Sequence, residues 1–357
     1  MPDSLKNILI MKPSALGDIV LALPALTALR QSFPDAKISW LVRPEFAPLL
    51  ENHPHLDEII PFDRKSLGRA WCNPKALGAL VRLISRLRSS KFDAVFDFQG
   101  LFRTAFLSWL SGCKKRFGKA NSRELAHLFY TDQIVQDAKS IHLVDFYLKM
   151  VKAAGSSSPG KSIIEPAPAK AGVRFELPSD PADVDSVKKL LKNTGIDSRK
   201  YVVFVPGSAH KTKCWPPERF ADLADKITSQ FNLPIIAVGA GSDKSLIEKI
   251  ANLAESDVIN FAGRTSLKEL VELLRAARLV VSNDTGPGHI AAALGTPLVM
   301  MYSWSNPARI APYDRPQCMV AREPYGRGLK IKSKNPKHNV TNITVDEVFQ
   351  KVQEQLN

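Results

Sequence analysis

Four side chains stand just beyond short apolar runs, placed for acid–base or phosphate chemistry: Asp18, Lys213, Asp284 and His289. The first lies in KNILIMKPSALGDIVLALPAL, Lys6 to Leu26, which reads as a strand (Ile8–Met11), a tight loop through Gly17 and an apolar helix. A dinucleotide-binding turn at this place carries G-x-G-x-x-G and docks a pyrophosphate on the helix N-terminus. Here the turn has one glycine, and Asp18 puts a negative charge at the helix mouth. A carboxylate there serves as a helix cap or as a base for an acceptor hydroxyl, and the motif alone fits both.

Three loops in the second half suit an anion. In VVSNDTGPGHIAAALG, Val280 to Gly295, a strand ends at Asn283, a turn holds Asp284, Thr285, Gly286, Pro287 and Gly288, and a helix is expected to open near His289. Glycines let backbone N–H groups approach a ligand, and a helix N-terminus adds about half a positive charge. In PGSAHKTKCWPPERFADL, Pro216 and Pro217 suit a helix start, so Lys213 stands just upstream, where it offsets charge on a leaving phosphate. VGAGSDK offers Ser242 or Asp243 to a ribose hydroxyl. None of the three matches G-x-x-x-x-G-K-[ST], which excludes a P-loop NTPase. The D-x-D at Asp183–Asp185 precedes a helical run, Val187–Leu191, and reads as helix-start acids, so no metal and no cofactor are expected.

Positioning these residues takes two parallel sheets covered by helices, because short apolar runs alternate with helical periodicity almost throughout. Strands are expected at Ile8–Met11, Ile38–Val42, Glu58–Ile60, Ala94–Asp97 and Lys115–Phe117, then at Val202–Val205, Ile235–Val238, Val258–Phe261, Leu279–Ser282 and Leu298–Tyr302. Ala76–Arg88 reads as an amphipathic helix through Leu80, Leu83, Ile84 and Leu87. The Ser-, Pro-, Ala- and Gly-rich stretch Gly155–Gly172 is a linker by composition, giving domains 1–170 and 171–357. A final helix, 345–356, suits either domain. Two doubly wound halves imply a cleft, with ligands at the carboxyl ends of the strands.

The bulk numbers fit this plan. At 357 residues, 45% hydrophobic and 24% charged, the chain suits two globular domains. No apolar run reaches the roughly 18–20 residues that span a bilayer, and no signal-peptide core follows Asn7. The four cysteines are scattered without a C-x-x-C pair, which fits a reducing cytoplasm. Net charge is +14, and the cations are bunched: Arg64, Lys65, Arg69, Lys75, Arg82, Arg86, Arg88 and Lys91 fall between Asp63 and Asp93 with no acid among them. A second acid-free stretch, Leu101 to Arg123, holds Arg103, Lys114, Lys115, Arg116, Lys119 and Arg123. An anionic partner or a solvated basic face accounts for both.

Taken together, KPSALGD, LPAL, KCWPPERF and SNDTGPGHIAAALGTP resemble glycosyltransferase family 9, which contains the bacterial lipopolysaccharide heptosyltransferases. FDFQGLFRTA, which ends the stretch Phe92–Ala105, and NSRELAHLFY (Asn121–Tyr130) are similar to the members that add the first heptose to Kdo on lipid A. The resemblance implies an α/β GT-B fold: two Rossmann-like domains facing a cleft, the acceptor on the first and the sugar nucleotide on the second. It implies an inverting, metal-independent transfer from ADP-heptose, at the cytoplasmic face of the inner membrane with peripheral association. Position by position, Asp18 matches the base and Lys213 the phosphate-contacting lysine. Asp284, Thr285, Gly286, Gly288 and His289 match the donor motif, and Ser208, Thr212, Asp243 and Thr265 complete the donor set. Lys12, on the donor side, and His142, on the acceptor side, match positions near the transferred sugar. Arg64, Lys65, Arg69, Arg103 and Arg123 are the acceptor cations. The chain departs from the pattern at Cys214, at Ala15 and in the loop Gly241–Asp243, where a ribose-contacting glutamate has no counterpart.

Other readings make different demands. A transferase with another sugar nucleotide or polysaccharide acceptor fits the same scaffold. A sugar-nucleotide epimerase would leave the basic stretches without a task. A nucleic-acid-binding protein would show an RNP-type motif or aromatics interleaved with the cations, and neither stands out here, so no nucleic acid is expected.

Overall fold

The computed structural model describes residues 5–64, 68, 72–156, 173–196 and 200–357. The chain divides into two units, Met1–Pro178 and Ser179–Asn357. The domain boundary expected at 170 lies outside the described residues.

Unit 1 holds six parallel strands: β1 (Asn7–Met11), β2 (Lys37–Val42), β3 (Glu58–Pro61), β4 (Ala94–Asp97), β5 (Lys115–Lys119) and β6 (Asp132–Ile134). They lie in the order β3-β2-β1-β4-β5-β6. Ile8, Leu9, Ile10 and Met11 of β1 are all buried, as expected of a central strand with helices on both faces. The chain leaves β1 through Pro13 and Ser14 and enters a five-residue helix, Leu16–Val20. The single long helix expected here is two, since the backbone turns at Leu21 and Ala22 and Pro24 opens the helix Leu23–Ser32. Proline suits the first turn, where its missing N–H costs nothing. The amphipathic helix expected at Ala76–Arg88 runs Pro74–Ser89, and the Asn73 side chain caps it by accepting from the N–H groups of Lys75 and Ala76.

Unit 2 repeats the plan with β7 (Val202–Val205), β8 (Ile235–Ala237), β9 (Val258–Asn260), β10 (Leu279–Asn283), β11 (Leu298–Met301) and β12 (Met319–Val320). The order β12-β11-β10-β7-β8-β9 is the same winding, with β7 in the place of β1. Chain order therefore reverses beside β1 in unit 1, next to β4, and beside β7 in unit 2, next to β10. Open α/β sheets bind ligands outside the carboxyl ends of the strands at such switch points. Phe204, Trp215, Phe220 and Ile235 form part of the unit 2 core. The terminal helix, Val345–Leu356, belongs to this unit: Val348, Val352 and Leu356 enter that core at i, i+4 and i+8. Each such side chain contributes roughly 1.5–3 kcal/mol on burial. β6 and β12 were not expected from the sequence; they are edge strands of three and two residues, too short for a hydrophobic period to register.

Candidate functional site

In unit 2 the switch point gathers side chains from four segments. β10 ends at Asn283, so Asp284 stands at the sheet's carboxyl edge, 4% exposed. Asp284 Oδ2 accepts from Lys213 Nζ at 2.5 Å and from Ser305 Oγ at 2.6 Å, while Oδ1 lies 3.4 Å from His289 Nε2. Burial alone raises the pKa of this carboxyl. The His289 and Lys213 interactions outweigh it and hold Asp284 well below the usual carboxylate range. Asp284 is therefore a fixed anion that orients Lys213 and His289, not a group that takes up a proton.

Lys213 ends a 3-10 turn after β7. The turn is anchored because Trp215 N–H donates to Asn283 Oδ1 at 3.1 Å and Asn283 Nδ2 donates to the Pro206 carbonyl at 2.8 Å. The Lys213 ammonium also lies 4.8 Å from the Trp304 ring centroid. Its three N–H donors exceed what one carboxylate takes up. Thr212 joins the group through its Oγ1, which accepts from Trp304 Nε1 at 2.9 Å.

The helix after β10 opens at Gly286, three residues earlier than expected, with Thr285 as its N-cap. Thr285 makes no side-chain cap bond, so the N–H groups of the first turn point outward without a capping oxygen. Space at Gly288 is tight: a Cβ there would meet Ser282 Oγ at 2.6 Å and Met300 Cε at 3.1 Å, so those side chains would have to shift. His289 is 5% exposed, and its Nδ1 is buried with no hydrogen-bond partner among the described residues. An orphaned buried nitrogen costs free energy until a ligand satisfies it. Cation, open helix end and orphan imidazole nitrogen together can hold an anionic, hydrogen-bonding ligand.

The other residues expected in a donor site lie on further loops of unit 2. Asp243 caps its own turn, Oδ2 accepting the Ala240 N–H at 2.9 Å, and its carboxyl group leaves no room for a Cβ at Gly207 or Gly239. Ser208 Oγ meets the His210 N–H at 3.5 Å. Thr265, half-buried, precedes Ser266, the N-cap of the helix Leu267–Arg275.

In unit 1 the switch point pairs Lys12, just past β1, with Asp18: Nζ lies 3.4 Å from Oδ2. Lys12 is buried, and its carbonyl accepts from Trp40 Nε1 at 3.1 Å. Burial lowers its pKa, yet the Asp18 carboxylate and Tyr147 outweigh burial and move it up, so Lys12 stays charged. Asp18 accepts from the Ala15 N–H at a long 3.4 Å, and its side chain remains 37% exposed. It caps loosely and keeps acceptor capacity open to solvent. Nearby, the Gln99 side chain accepts from the Ser14 N–H at 3.4 Å. Asp97 at the end of β4 accepts from the Gln99 N–H, the Gly100 N–H and Tyr130 Oη.

Of the cations expected to meet an acceptor, three lie in described parts of unit 1. Arg64 follows β3, Arg103 lies in the first turn of the helix Phe102–Leu110, Arg123 follows β5, and all three are exposed. Lys65 and Arg69 lie outside the described residues. His142, half-buried, accepts the Val144 N–H at 3.2 Å at the start of the helix Leu143–Ser156.

Sequence reasoning missed Ser305 and Trp304. Both follow β11, and a polar pair at a strand's carboxyl end is itself a signal in such sheets. It also left the basic segment 327–337 without a place. That segment straps the site: Arg327 Nη1 donates to the Ser305 carbonyl at 2.9 Å, Ser333 N–H to the Trp304 carbonyl at 2.8 Å, and Lys332 Nζ lies 4.5 Å from the Trp304 centroid. Among the described residues no group of three His, Cys, Asp or Glu is placed to hold a metal ion.

The model of the family described as "Glycosyltransferase family 9 (heptosyltransferase)" matches residues 80–340. The chain is 29% identical to the lipopolysaccharide core heptosyltransferase OpsX of Haemophilus influenzae, covering 96% of this chain and 95% of that one. It is 28% identical to lipopolysaccharide heptosyltransferase 1 of Escherichia coli K12, over 92% and 97%. Among solved structures it is similar to E. coli heptosyltransferase WaaC with ADP-2-deoxy-2-fluoro heptose, with TM-score 0.71, 26% identity, and coverage of 98% and 99%. The two six-stranded parallel sheets match this GT-B architecture.

Proposed function

The chain belongs to glycosyltransferase family 9, the heptosyltransferase family, and from that premise we propose that it moves a heptose from ADP-heptose to an anionic, Kdo-bearing lipid of the lipid A type, as in lipopolysaccharide inner-core assembly. The observation that carries the donor half is the pair of half-buried Lys213 and buried Asp284 beside the uncapped helix mouth at Thr285. A diphosphate leaving group needs positive charge already in position, and a cation plus an open helix N-terminus supply it without reorganisation. His289 Nδ1 adds a buried hydrogen-bonding atom for the same ligand. The names of the relatives support ADP-heptose as donor.

In the proposed reaction an acceptor hydroxyl oxygen attacks the anomeric carbon from the face opposite the diphosphate. The new glycosidic C–O bond forms as the C–O bond to the β-phosphate breaks, and its electron pair leaves with ADP. Asp18 takes the hydroxyl proton, while Lys213 and the Gly286–Gly288 backbone hold the departing charge. A positioned carboxylate base contributes about 10²–10⁴-fold. Lys12 and His142 serve the transferred sugar, and Arg64, Lys65, Arg69, Arg103 and Arg123 serve the acceptor's anionic groups. No helix among the described residues is long and apolar enough to cross a membrane. A lipid-borne acceptor calls for the protein to work peripherally at the cytoplasmic face of the membrane that carries it.

A second reading, a different sugar nucleotide on the same scaffold, draws on Asp243, whose carboxylate already takes the Ala240 N–H where a ribose contact is called for. One experiment separates the two. The protein is incubated with ADP-heptose, and separately with ADP-, GDP- and UDP-hexoses, together with Kdo-bearing lipid A, and products are read by mass spectrometry. Addition of one heptose from ADP-heptose alone is the expected result. Transfer from another donor only would replace the reading.

A further inference from the structure

Unit 1 carries an apolar surface that the chemistry above does not use. On the helix Phe102–Leu110, Phe102, Phe106 and Trp109 fall at i, i+4 and i+7 and stack in a row, with centroids 5.6 and 5.7 Å apart. Phe129, from the turn after β5, packs on all three at 5.5, 5.6 and 6.3 Å. This scaffold holds its outermost members in solvent: Phe102 is 43% exposed, Trp109 51%, Leu125 63% and Leu128 67%. A contiguous patch of large side chains is uncommon on a soluble surface and marks an interaction site.

Its surroundings define the partner. Between Leu101 and Thr131 the chain has six Lys and Arg and one acid, Glu124. Arg103 and Arg123, both exposed, lie beside the stripe in sequence at its carboxyl-edge end. At the other end, Arg88 Nε donates to the carbonyl of Leu110 at 2.9 Å. Directly beyond opens a groove of about 710 Å³ lined by Lys6, Arg88, Lys91, Lys114 and Lys115. The acid in that groove, Asp93, is engaged by the N–H groups of Lys6 and Asn7.

We propose that this face docks on an anionic phospholipid bilayer, with Trp109, Phe102, Leu125 and Leu128 entering the interface and the flanking cations meeting the headgroups. Aromatic and leucine side chains bordered by lysine and arginine are the composition that lies in a membrane interface. A second copy of this chain is the poorer occupant, because a two-fold contact sets the same patch against itself. Arg103 and Arg123 would then approach their own like charges. The stripe starts at the carboxyl edge of the sheet, the edge that also carries Asp18. Docking there presents a lipid-borne hydroxyl to the edge where the proposed base lies, so the inference rests on the reading above for its purpose and not for its geometry.

The test uses the full chain and vesicles of phosphatidylethanolamine with phosphatidylglycerol, against vesicles of phosphatidylcholine alone. Wild type is expected to sediment with the anionic vesicles in a salt-sensitive manner. The triple variant Trp109→Ser, Leu125→Ser, Leu128→Ser is expected to bind them about tenfold or more weakly, with ADP affinity unchanged as the control for folding. In parallel, brominated anionic lipids are expected to quench a fluorescence component that Trp109→Phe lacks; this second variant decides the matter if the triple variant does not fold. Equal vesicle binding by the triple variant, or equal quenching in Trp109→Phe, overturns the proposal. So does a wild-type dimer that the triple variant dissociates. Transfer to a water-soluble Kdo-bearing fragment is measured alongside. Its loss in wild type would overturn the transferase reading, whatever the vesicles show.

Discussion

Two aspartates, Asp284 directly after β10 and Asp18 in the first turn of the helix that follows β1, have opposite fates here. Asp284 is buried and saturated by Lys213, Ser305 and His289. Asp18 keeps one long bond to the backbone, a lysine at 3.4 Å and more than a third of its surface in solvent. Asp18→Asn is therefore expected to lower kcat by about 10²–10⁴ while ADP affinity, read by calorimetry, stays unchanged. A near wild-type rate would leave Asp18 as a helix cap. Lys213→Ala is expected to weaken ADP binding about tenfold or more, since it removes the cation and leaves Asp284 with only Ser305 and His289 as partners. Unchanged ADP affinity in that variant would remove Lys213 from the donor site. Much of this cluster was legible in the sequence, because Lys213, Asp284 and His289 stand at fixed offsets from strand ends and from Pro and Gly. Ser305 and the lysine at 332 were not. Local pattern carries no information about which loops a fold brings together: Ser305 reaches the cluster through Asp284, and Lys332 through the Trp304 ring.

At the scale of elements, the helix Gly286–Leu294 can lie against β10 only because residue 288 has no side chain. Gly288→Ala is expected to cost about 1–3 kcal/mol in chemical denaturation, because Ser282 and Met300 must give way. Most strands were legible as short apolar runs, since a parallel strand covered on both faces cannot afford polar residues. The edge strands β6 and β12 and the break at Leu21 and Ala22 escaped, because a two- or three-residue strand and a one-turn reorientation leave no periodic trace. His53 adds a pH dependence local to unit 1. It is buried, its Nδ1 accepts the His55 N–H at 3.2 Å, and its Nε2 meets the Glu176 carbonyl at 3.1 Å, so the fold holds it neutral. Burial, then the neighbouring His55, lowers its pKa to about 4. A depressed histidine binds fewer protons folded than unfolded, so its stabilisation is present above about pH 6.5 and is lost as pH falls toward 4. The loss reaches up to about 3 kcal/mol. Asp284 has the depressed-carboxylate sign, and its contribution declines only below about pH 4. Hydrogen exchange is expected to show unit 1 loosening first on acidification, with His53→Gln flattening that slope. Equal loosening of both units between pH 6.5 and 4 would contradict it.

For the whole molecule, the bunched cations lie in unit 1, in two stretches that hold no acid. If those cations recognise an anionic acceptor, replacing Arg64, Arg103 and Arg123 with Ser raises the acceptor KM several-fold and flattens its salt dependence, leaving ADP affinity unchanged. An unaltered KM at low salt would make them a solvated basic face. The central claim is a single displacement: one base, one cationic leaving-group site and no covalent sugar–enzyme intermediate. The anomeric configuration of the transferred heptose tests it most directly, read by proton NMR on product formed from ADP-heptose of defined configuration. The expected product has the configuration opposite to the donor's; retention of the donor's configuration would rule out a single displacement.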